Sequence, residues 1–389
     1  IVNYNLNFQF DQSDGYDLTP NDPGEYNVTS NEKESKILNH NIIFTPSQKH
    51  LIDLTFKDYF SRITKYKYLG QSLFLGRLNR YSDEYNKIKY HYKISDTKKF
   101  KLSYIEEEYL KYYFYPYYYS NGEYLYNPEE FLNGALDRSE LNIQYNNETS
   151  SYKRLIGLEA YNEDYSSFNI YFTNGEVQES IFNGIDDTIN DNDISLYFYQ
   201  ERNLSENRIL SIGMRMQDLY DDNILLPSIS YLIKGKYDYN YRMSYSGGYR
   251  NPSIKERYYQ WADHEGGPEI LGNPNLKPTK NNYFSLSLDK RTFINDFSID
   301  FYSNNIKNMI STEYDTNGDY LLYRNYDRVI INGLNIHYFR KISDKLRLKF
   351  VYNLTDATSK SDEILEGISK NAFRINVKHK VLNKVEVVA

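Results

Sequence analysis

Alternation of polar and apolar residues with a period of two is the feature that most restricts this chain. Asn3, Asn5, Asn7 and Gln9 alternate with Tyr4, Leu6, Phe8 and Phe10. Leu210, Ile212, Met214 and Met216 alternate with Ser211, Gly213, Arg215 and Gln217, and Tyr237, Tyr239, Tyr241, Met243 and Tyr245 with Asp238, Asn240, Arg242, Ser244 and Ser246. Leu346, Leu348, Phe350, Tyr352 and Leu354 alternate with Arg347, Lys349, Val351 and Asn353. Successive side chains of a strand point to opposite faces, so each stretch predicts a strand with one apolar and one wetted face.

A soluble sandwich and a barrel wall both satisfy that pattern. Loop length separates them. Tight polar turns recur near 47–49, 95–98, 146–150, 204–207, 233–236, 293–296, 343–345 and 382–384, with longer irregular connections between them. Short turns at one end and long loops at the other are the habit of outer-membrane barrels. Counting strands between these turns gives about 17, the last cut short, in a sheet too wide to stay open comfortably. Closure leaves no unpaired edge in lipid. The expected class is therefore all-β: a transmembrane antiparallel β-barrel with long extracellular loops and short periplasmic turns.

Composition agrees. Mean hydropathy is −0.74, which leaves no apolar run of the ~20 residues that a membrane-spanning helix needs. Disorder is opposed by 44 tyrosines and an aromatic share of 17 %. Net charge is −7 and the 46 lysines and arginines are interspersed with acids, so there is no basic face for nucleic acid. Without cysteine there is no disulfide framework and no thiolate metal site. No signal-peptide pattern opens the chain at Ile1, so an exported protein is expected to have lost its beginning here.

One dense loop interrupts the rhythm, "YRNPSIKERYYQWADHEGGPEILGNPNLKP" at 249–278. Ser253 followed by Glu256 has capping-box spacing and predicts a short helix. Ile254, Tyr258 and Trp261 then fall at helical spacing, which would let the loop pack on its own aromatics. Gly247 and Gly248 mark the end of the preceding strand, with a bulge or a close backbone approach. Gly266-Gly267-Pro268 and "GNPNLKP" fix turns before the chain returns near Asn281.

"GGYRNPSIKERYY" followed by "GNPNLKPTKNNY" resembles the paired boxes in the barrel of TonB-dependent outer-membrane receptors, which in haem-uptake members read approximately Phe/Tyr-Arg-Ala-Pro and Asn-Pro-Asn-Leu. "SDGYDLTP" (13–20) is similar to an early outer loop of these barrels, and "SIDFYSNNIKNMI" (298–310) to the strand after the second box. Asn251 stands where the family usually has alanine, a departure from the haem subgroup. The resemblance implies a 22-stranded barrel, of which residues 1–389 would be a part lacking the N-terminal plug and the last strands. It implies a place in the outer membrane of a Gram-negative bacterium, TonB as the energy-supplying partner, outer-membrane lipid around the wall, and in several relatives a capping surface lipoprotein. It implies import of a scarce bulky nutrient, haem or an iron chelate, with no required cofactor and no bond made or broken.

In haem receptors of the family a histidine between the boxes helps hold the iron, and His264 matches that placement. Imidazole can ligate haem iron, whereas the bland reading is a hydrogen bond to Asp263 or Glu265. Tyr249, Arg250, Tyr258, Trp261 and Asn273 are the other ligand-facing candidates of the loop. The tyrosine-dense segment 106–131 reads either as girdle and loop core or as a stacking surface for a flat ligand, with Tyr117, Tyr118 and Tyr119 foremost. Asp186, Asp187, Asp191 and Asp193 are expected on an outer loop, either solvated or holding calcium, as in some cobalamin receptors of the family. A cobalamin receptor is thus one alternative, and a passive porin or adhesin another. A hydrolase would need a nucleophile with its base or paired carboxylates, and no such arrangement rises above the scattered acids.

Overall fold

The computed structural model describes residues 1–15, 31–70, 73–119, 124–126, 129–167, 188–219, 222–258, 260–261, 269–315, 320–359, 369–382 and 385–388. Among them lie 21 strand segments: β1 (Val2–Ser13), β2 (Glu32–Ser47), β3 (His50–Gly70), β4 (Leu73–Lys93), β5 (Lys98–Phe114), β6 (Tyr117–Tyr119), β7 (Tyr124–Tyr126), β8 (Phe131–Glu148), β9 (Tyr152–Ser167), β10 (Ile189–Ser205), β11 (Arg208–Leu219), β12 (Asp222–Lys234), β13 (Tyr239–Arg250), β14 (Gln260–Trp261), β15 (Glu269–Leu271), β16 (Thr279–Arg291), β17 (Asn295–Tyr314), β18 (Tyr320–Lys341), β19 (Leu346–Ser359), β20 (Asn371–Leu382) and β21 (Val385–Val388). One α-helix, α1 (Ile254–Tyr258), follows β13. The short segments β6, β7, β14 and β15 lie in long connections, which leaves 17 wall strands, the number that the turn spacing predicts. No helix among the described residues is long and apolar enough to cross a membrane.

The wall divides into two parts, residues 1–145, 157–195 and 258–261, and residues 146–156, 196–257 and 262–389. In the first part β1 to β5 pair in succession, each antiparallel to the next, and β8 pairs with β5. One row across them reads Tyr4, Ile42, Leu54, Ile88 and Tyr104. Phe56, Ile88 and Tyr104, on strands flanked on both sides, are 37 %, 44 % and 38 % exposed, so this apolar face is presented to the surroundings and not folded into a core. On the opposite face Asn5, Asn41, Thr55, Lys87 and Ile105 stand in one row, and Asn41 Nδ2 donates to Asp53 Oδ1 at 2.7 Å and to Thr55 Oγ1 at 3.1 Å.

In the second part the order is β11, β12, β13, β16, β17, β18, β19, β20 and β21, all antiparallel. Its apolar face carries the row Leu286, Phe301, Leu334 and Leu354. Met214, Met216, Leu225 and Met243 on that face are about half exposed. An apolar surface this continuous, left facing outward, marks contact with lipid or another apolar partner. Gly333 lies directly opposite Tyr302, whose ring occupies the space a Cβ would take and stacks on Tyr283 at 6.1 Å between centroids. The glycine is a seat for the aromatic ring.

The seven tight turns within the described residues fall within about two residues of the predicted positions, and 383–384 lies outside the described residues. Two of them close with the same ion pair, Lys93 to Asp96 at 2.6 Å and Lys341 to Asp344 at 2.5 Å.

The other ends depart from expectation. Gly247 and Gly248 do not end their strand: β13 continues to Arg250, pairing Gly247 with Asn282 and Gly248 with Asn281 in unbroken register, so there is no bulge. The close approach is real, because a Cβ on Gly248 would collide with the Asn281 side chain. Asp191 and Asp193 lie on β10 and not on an outer loop, while Asp186 and Asp187 lie outside the described residues. A strand can continue once both of its faces are wet, since its hydrogen-bond ladder needs no apolar side chain.

Candidate functional site

The loop after β13 is built from its two boxes inward. Asn251-Pro252 ends the strand, because proline offers no N–H to the ladder. Ser253 N–H donates to Glu256 Oε2 at 2.8 Å and Glu256 N–H donates to Ser253 Oγ at 3.2 Å, the reciprocal pair predicted from their spacing. Arg250 Nη1 donates to both Glu256 oxygens, at 3.0 and 2.8 Å. Burial alone would raise the Glu256 carboxyl, but the Arg250 guanidinium and the Ser253 donors outweigh it and hold the group below the usual carboxylate range. Pro252, Ile254, Arg257 and Leu276 are buried, which gives the loop a small core.

The second box is tied to the first by its backbone and to the wall by its side chains. Asn273 N–H donates to the Glu256 carbonyl at 2.8 Å, at the end of the helix where carbonyls lack intrahelical donors. Asn273 Nδ2 donates to the Tyr323 carbonyl at 3.1 Å, and its Oδ1 accepts from Asn275 N–H at 2.9 Å. Lys277 is gripped on both backbone polar groups by one amide, for its N–H donates to Asn325 Oδ1 at 2.7 Å and its carbonyl accepts from Asn325 Nδ2 at 2.8 Å. Asn325 Nδ2 also reaches the carbonyl of Asn308, a residue in the left-handed region at φ 53 that asparagine tolerates. The short strand β15 pairs in parallel with Tyr320–Leu322 of β18, completing the frame.

These contacts define what the predicted site residues do. Arg250 and Asn273 are spent on holding the loop, and Tyr249 OH donates to Asn251 Oδ1 at 2.6 Å. Tyr258 ends the helix, half-buried. Trp261 is not on the helix, which stops at Tyr258, but in the two-residue strand β14. His264 lies outside the described residues. Asn308, Tyr323 and Asn325 are the structural partners that the sequence pattern did not single out. Their only local sign is the asparagine density of "SNNIKN" and "YRNYD" within otherwise alternating strands.

A second candidate surface lies in the first part of the wall. Tyr113 packs edge-on against Tyr115 at 5.4 Å and against Phe131 at 6.2 Å, Tyr81 stacks on Tyr109 at 6.4 Å, and the Arg77 guanidinium lies 5.5 Å from the Tyr115 ring centre. Tyr117–Tyr119 pairs with Leu73–Leu75 as a short added strand. The tyrosine-rich segment therefore supplies both wall and cluster, with Tyr113 and Tyr115 the residues brought together. Among the described residues no group of three or more His, Asp or Glu side chains could hold a metal ion, so Asp191 and Asp193 gain no calcium partners there.

The chain is similar in structure to the siderophore receptor PirA from Acinetobacter baumannii, with a TM-score of 0.70 at 12 % identity, covering 100 % of this chain and 62 % of that one. The ferric enterobactin receptor PfeA from Pseudomonas aeruginosa gives 0.71 at 13 % identity over 99 % and 62 %. The copper transporter OprC gives 0.68 at 14 % over 97 % and 60 %. The chain thus spans about 60 % of the length of these structures. No curated protein matches its sequence. The family model described as TonB dependent receptor-like, beta-barrel matches residues 3–383, and with that match across the wall and both boxes the chain belongs to this outer-membrane family.

Proposed function

We propose that these residues form most of the closed, membrane-spanning wall of a receptor that captures a ferric chelate outside the cell and imports it with energy supplied through TonB. The observation that carries this reading is the match of fold over the whole chain to receptors for siderophores. A complete barrel of 22 strands would enclose a plug, and TonB would pull on that plug. No covalent step is involved.

Within this reading the pinned loop is a lip. Tyr249, Arg250 and Asn273 hold its shape, and Tyr258, Trp261 and His264 are carried between its two fixed ends. Tyr113 and Tyr115 offer aromatic faces for a flat or catechol-like ligand, since rigid rings lose little entropy on binding, and Tyr117, Tyr118 and Tyr119 are further proposed contacts. Haem is the second reading, resting on the place of His264 between the boxes. Calcium-ordered loops for cobalamin would need Asp186 and Asp187 together with Asp191 and Asp193. A surface lipoprotein remains a proposed partner of the loops.

The test is a ligand panel against the intact receptor, scored by intrinsic tryptophan and tyrosine quenching. A ferric siderophore is expected to bind at sub-micromolar concentration, with haem, cobalamin and copper weaker by tenfold or more. A Soret shift lost in His264→Ala would instead establish haem. Binding of cobalamin strengthened by calcium would establish the third ligand, and passive flux of unrelated small solutes would replace the receptor by a porin.

A further inference from the structure

The polar face of the first part of the wall changes sign along its length. Toward the short turns it is basic: Lys57 stands opposite Tyr85, Lys87 opposite Thr55, Lys89 opposite Asp53, and Lys101 opposite His91. Tyr85, Lys87, Lys89 and His91 alternate along β4, so all four lysines share one face. Each is one step from the next, roughly 7 Å on: Lys57 is diagonal to Lys87, Lys87 lies two positions from Lys89, and Lys89 is diagonal to Lys101. The neighbouring strands β2 and β1 add amides to the same face, Asn39 and Asn41, Asn5 and Asn7.

All four lysines are half-buried, and among the described residues none of their ammoniums has a hydrogen bond or an ion pair. The carboxylates that border them are engaged elsewhere. Asp53 accepts from Asn41 Nδ2 at 2.7 Å, and Glu107 lies 3.8 Å from the Arg138 guanidinium. Lys93, next along β4 toward the turn, is already paired with Asp96. Like charges held this close on a partly desolvated wall repel one another, and a compact polyanion among them would reverse the sign of that energy. Higher on the same face the charge is opposite: Asp83, Glu107, Glu140 and Glu163 gather there around Arg138 and Tyr161.

We propose that the lysine tier is an inner station for the cargo, taking a polyanionic ferric chelate such as an iron tris-catecholate, whose three doubly deprotonated rings leave a trianion around the metal. The inference rests on the proposed function, in which the polar face lines the passage. Lysine arms reach several ångströms, so Lys87, Lys89 and Lys101 can converge on one anion, with Lys57 above them. The acidic tier then stands between the held anion and the loops and opposes its return. A neutral chelate of the same size gains none of this attraction.

The intact receptor is held in lipid discs, where both ends of the wall meet solvent, and acylation of each lysine is followed by peptide mass. A saturating trianionic ferric tris-catecholate is expected to slow acylation of Lys87, Lys89 and Lys101 about tenfold, and a neutral ferric tris-hydroxamate to leave it unchanged. Lys98, three positions from Lys101 and so on the opposite face of β5, reacts alike in every sample. Each partly exposed ion pair contributes up to about fivefold in affinity, so Lys89→Gln raises the half-protecting concentration at Lys87 and Lys101 roughly three- to fivefold. In cells K87Q/K89Q/K101Q binds the chelate at the surface as wild type does and imports it roughly tenfold more slowly. Equal protection by the neutral chelate, wild-type import by the triple variant, or lysines already unreactive before any chelate is added each overturns the proposal; the wild-type footprint decides it if the triple variant fails to assemble. A chelate that binds the receptor yet leaves these lysines reactive removes the inner station alone. Protection by the trianion in a receptor that imports no ferric chelate removes the proposed function and leaves an anion site.

Discussion

Replacing Glu256 by alanine tests how the lip is held. The carboxylate accepts from Arg250, from the Ser253 N–H and from the Ser253 hydroxyl, and its side chain is 16 % exposed while that of Arg250 is 49 % exposed. The half-exposed arginine is screened by water and contributes well under 1 kcal/mol as an ion pair. Loss of the reciprocal cap costs about 1 kcal/mol. Water takes up the exposed Ser253 N–H in the variant, so no burial penalty is added. The total of about 1–1.5 kcal/mol corresponds to a roughly 5- to 13-fold rise in local opening. Hydrogen exchange of the intact receptor in lipid discs reads this amide by amide. The rise is expected at Glu256 and Arg257, and also at Asn273, whose N–H is bound to the Glu256 carbonyl across the loop. Amides of Tyr241 and Met243, within the ladder of β13, keep their wild-type rates. A rise below threefold at Asn273, or an equal rise along β13, would refute the idea that one carboxylate locks the two boxes together.

The lip should also respond to acid: the folded Glu256 carboxyl lies below its ordinary value, so its contribution is complete above the ordinary carboxylate range and is lost as pH falls through the lower folded value. Protection at Asn273 is therefore flat from pH 7 to about 5 and drops below pH ~4, and a drop already complete at pH 5 would contradict the sign of the shift. Asn325→Ala removes the bonds to Lys277 N–H, Lys277 carbonyl and Asn308 carbonyl, and is expected to weaken chelate binding about tenfold, with roughly 1.5–2 kcal/mol lost locally by exchange at 275–279, while heat resistance of the wall is unchanged. Gly333→Ala drives the Tyr302 ring from its seat and is expected to lower the urea midpoint of refolding by an amount equivalent to ~1–2 kcal/mol, whereas G333A/Y302A recovers part of the loss. A double variant no better than Gly333→Ala would show that the backbone and not the ring sets the cost.

Where the two faces of a strand meet different surroundings, the sequence announces it. Leu346 to Leu354 and Tyr239 to Tyr245 are legible because one face is apolar and the other wet, and the short turns follow from where that rhythm stops. The same logic fails higher on the wall. Near Asp191, Asp193, Gly247 and Gly248 both faces are polar, the period vanishes, and only the backbone ladder shows that the strand continues. In the loop, the bond between Ser253 and Glu256 is local and readable from spacing, and it correctly gave the helix. The grip of Asn325 on Lys277 joins residues 48 positions apart, so no pattern near either one reveals it.

That grip has an evolutionary consequence. Because the two boxes are fastened to each other and to β18 by residues outside 259–268, the letters of that stretch can vary, lengthen or be exchanged without removing any of those bonds. On the proposed function, a receptor built in this manner can acquire a new cargo by swapping a cassette, leaving the strands of the wall as they were.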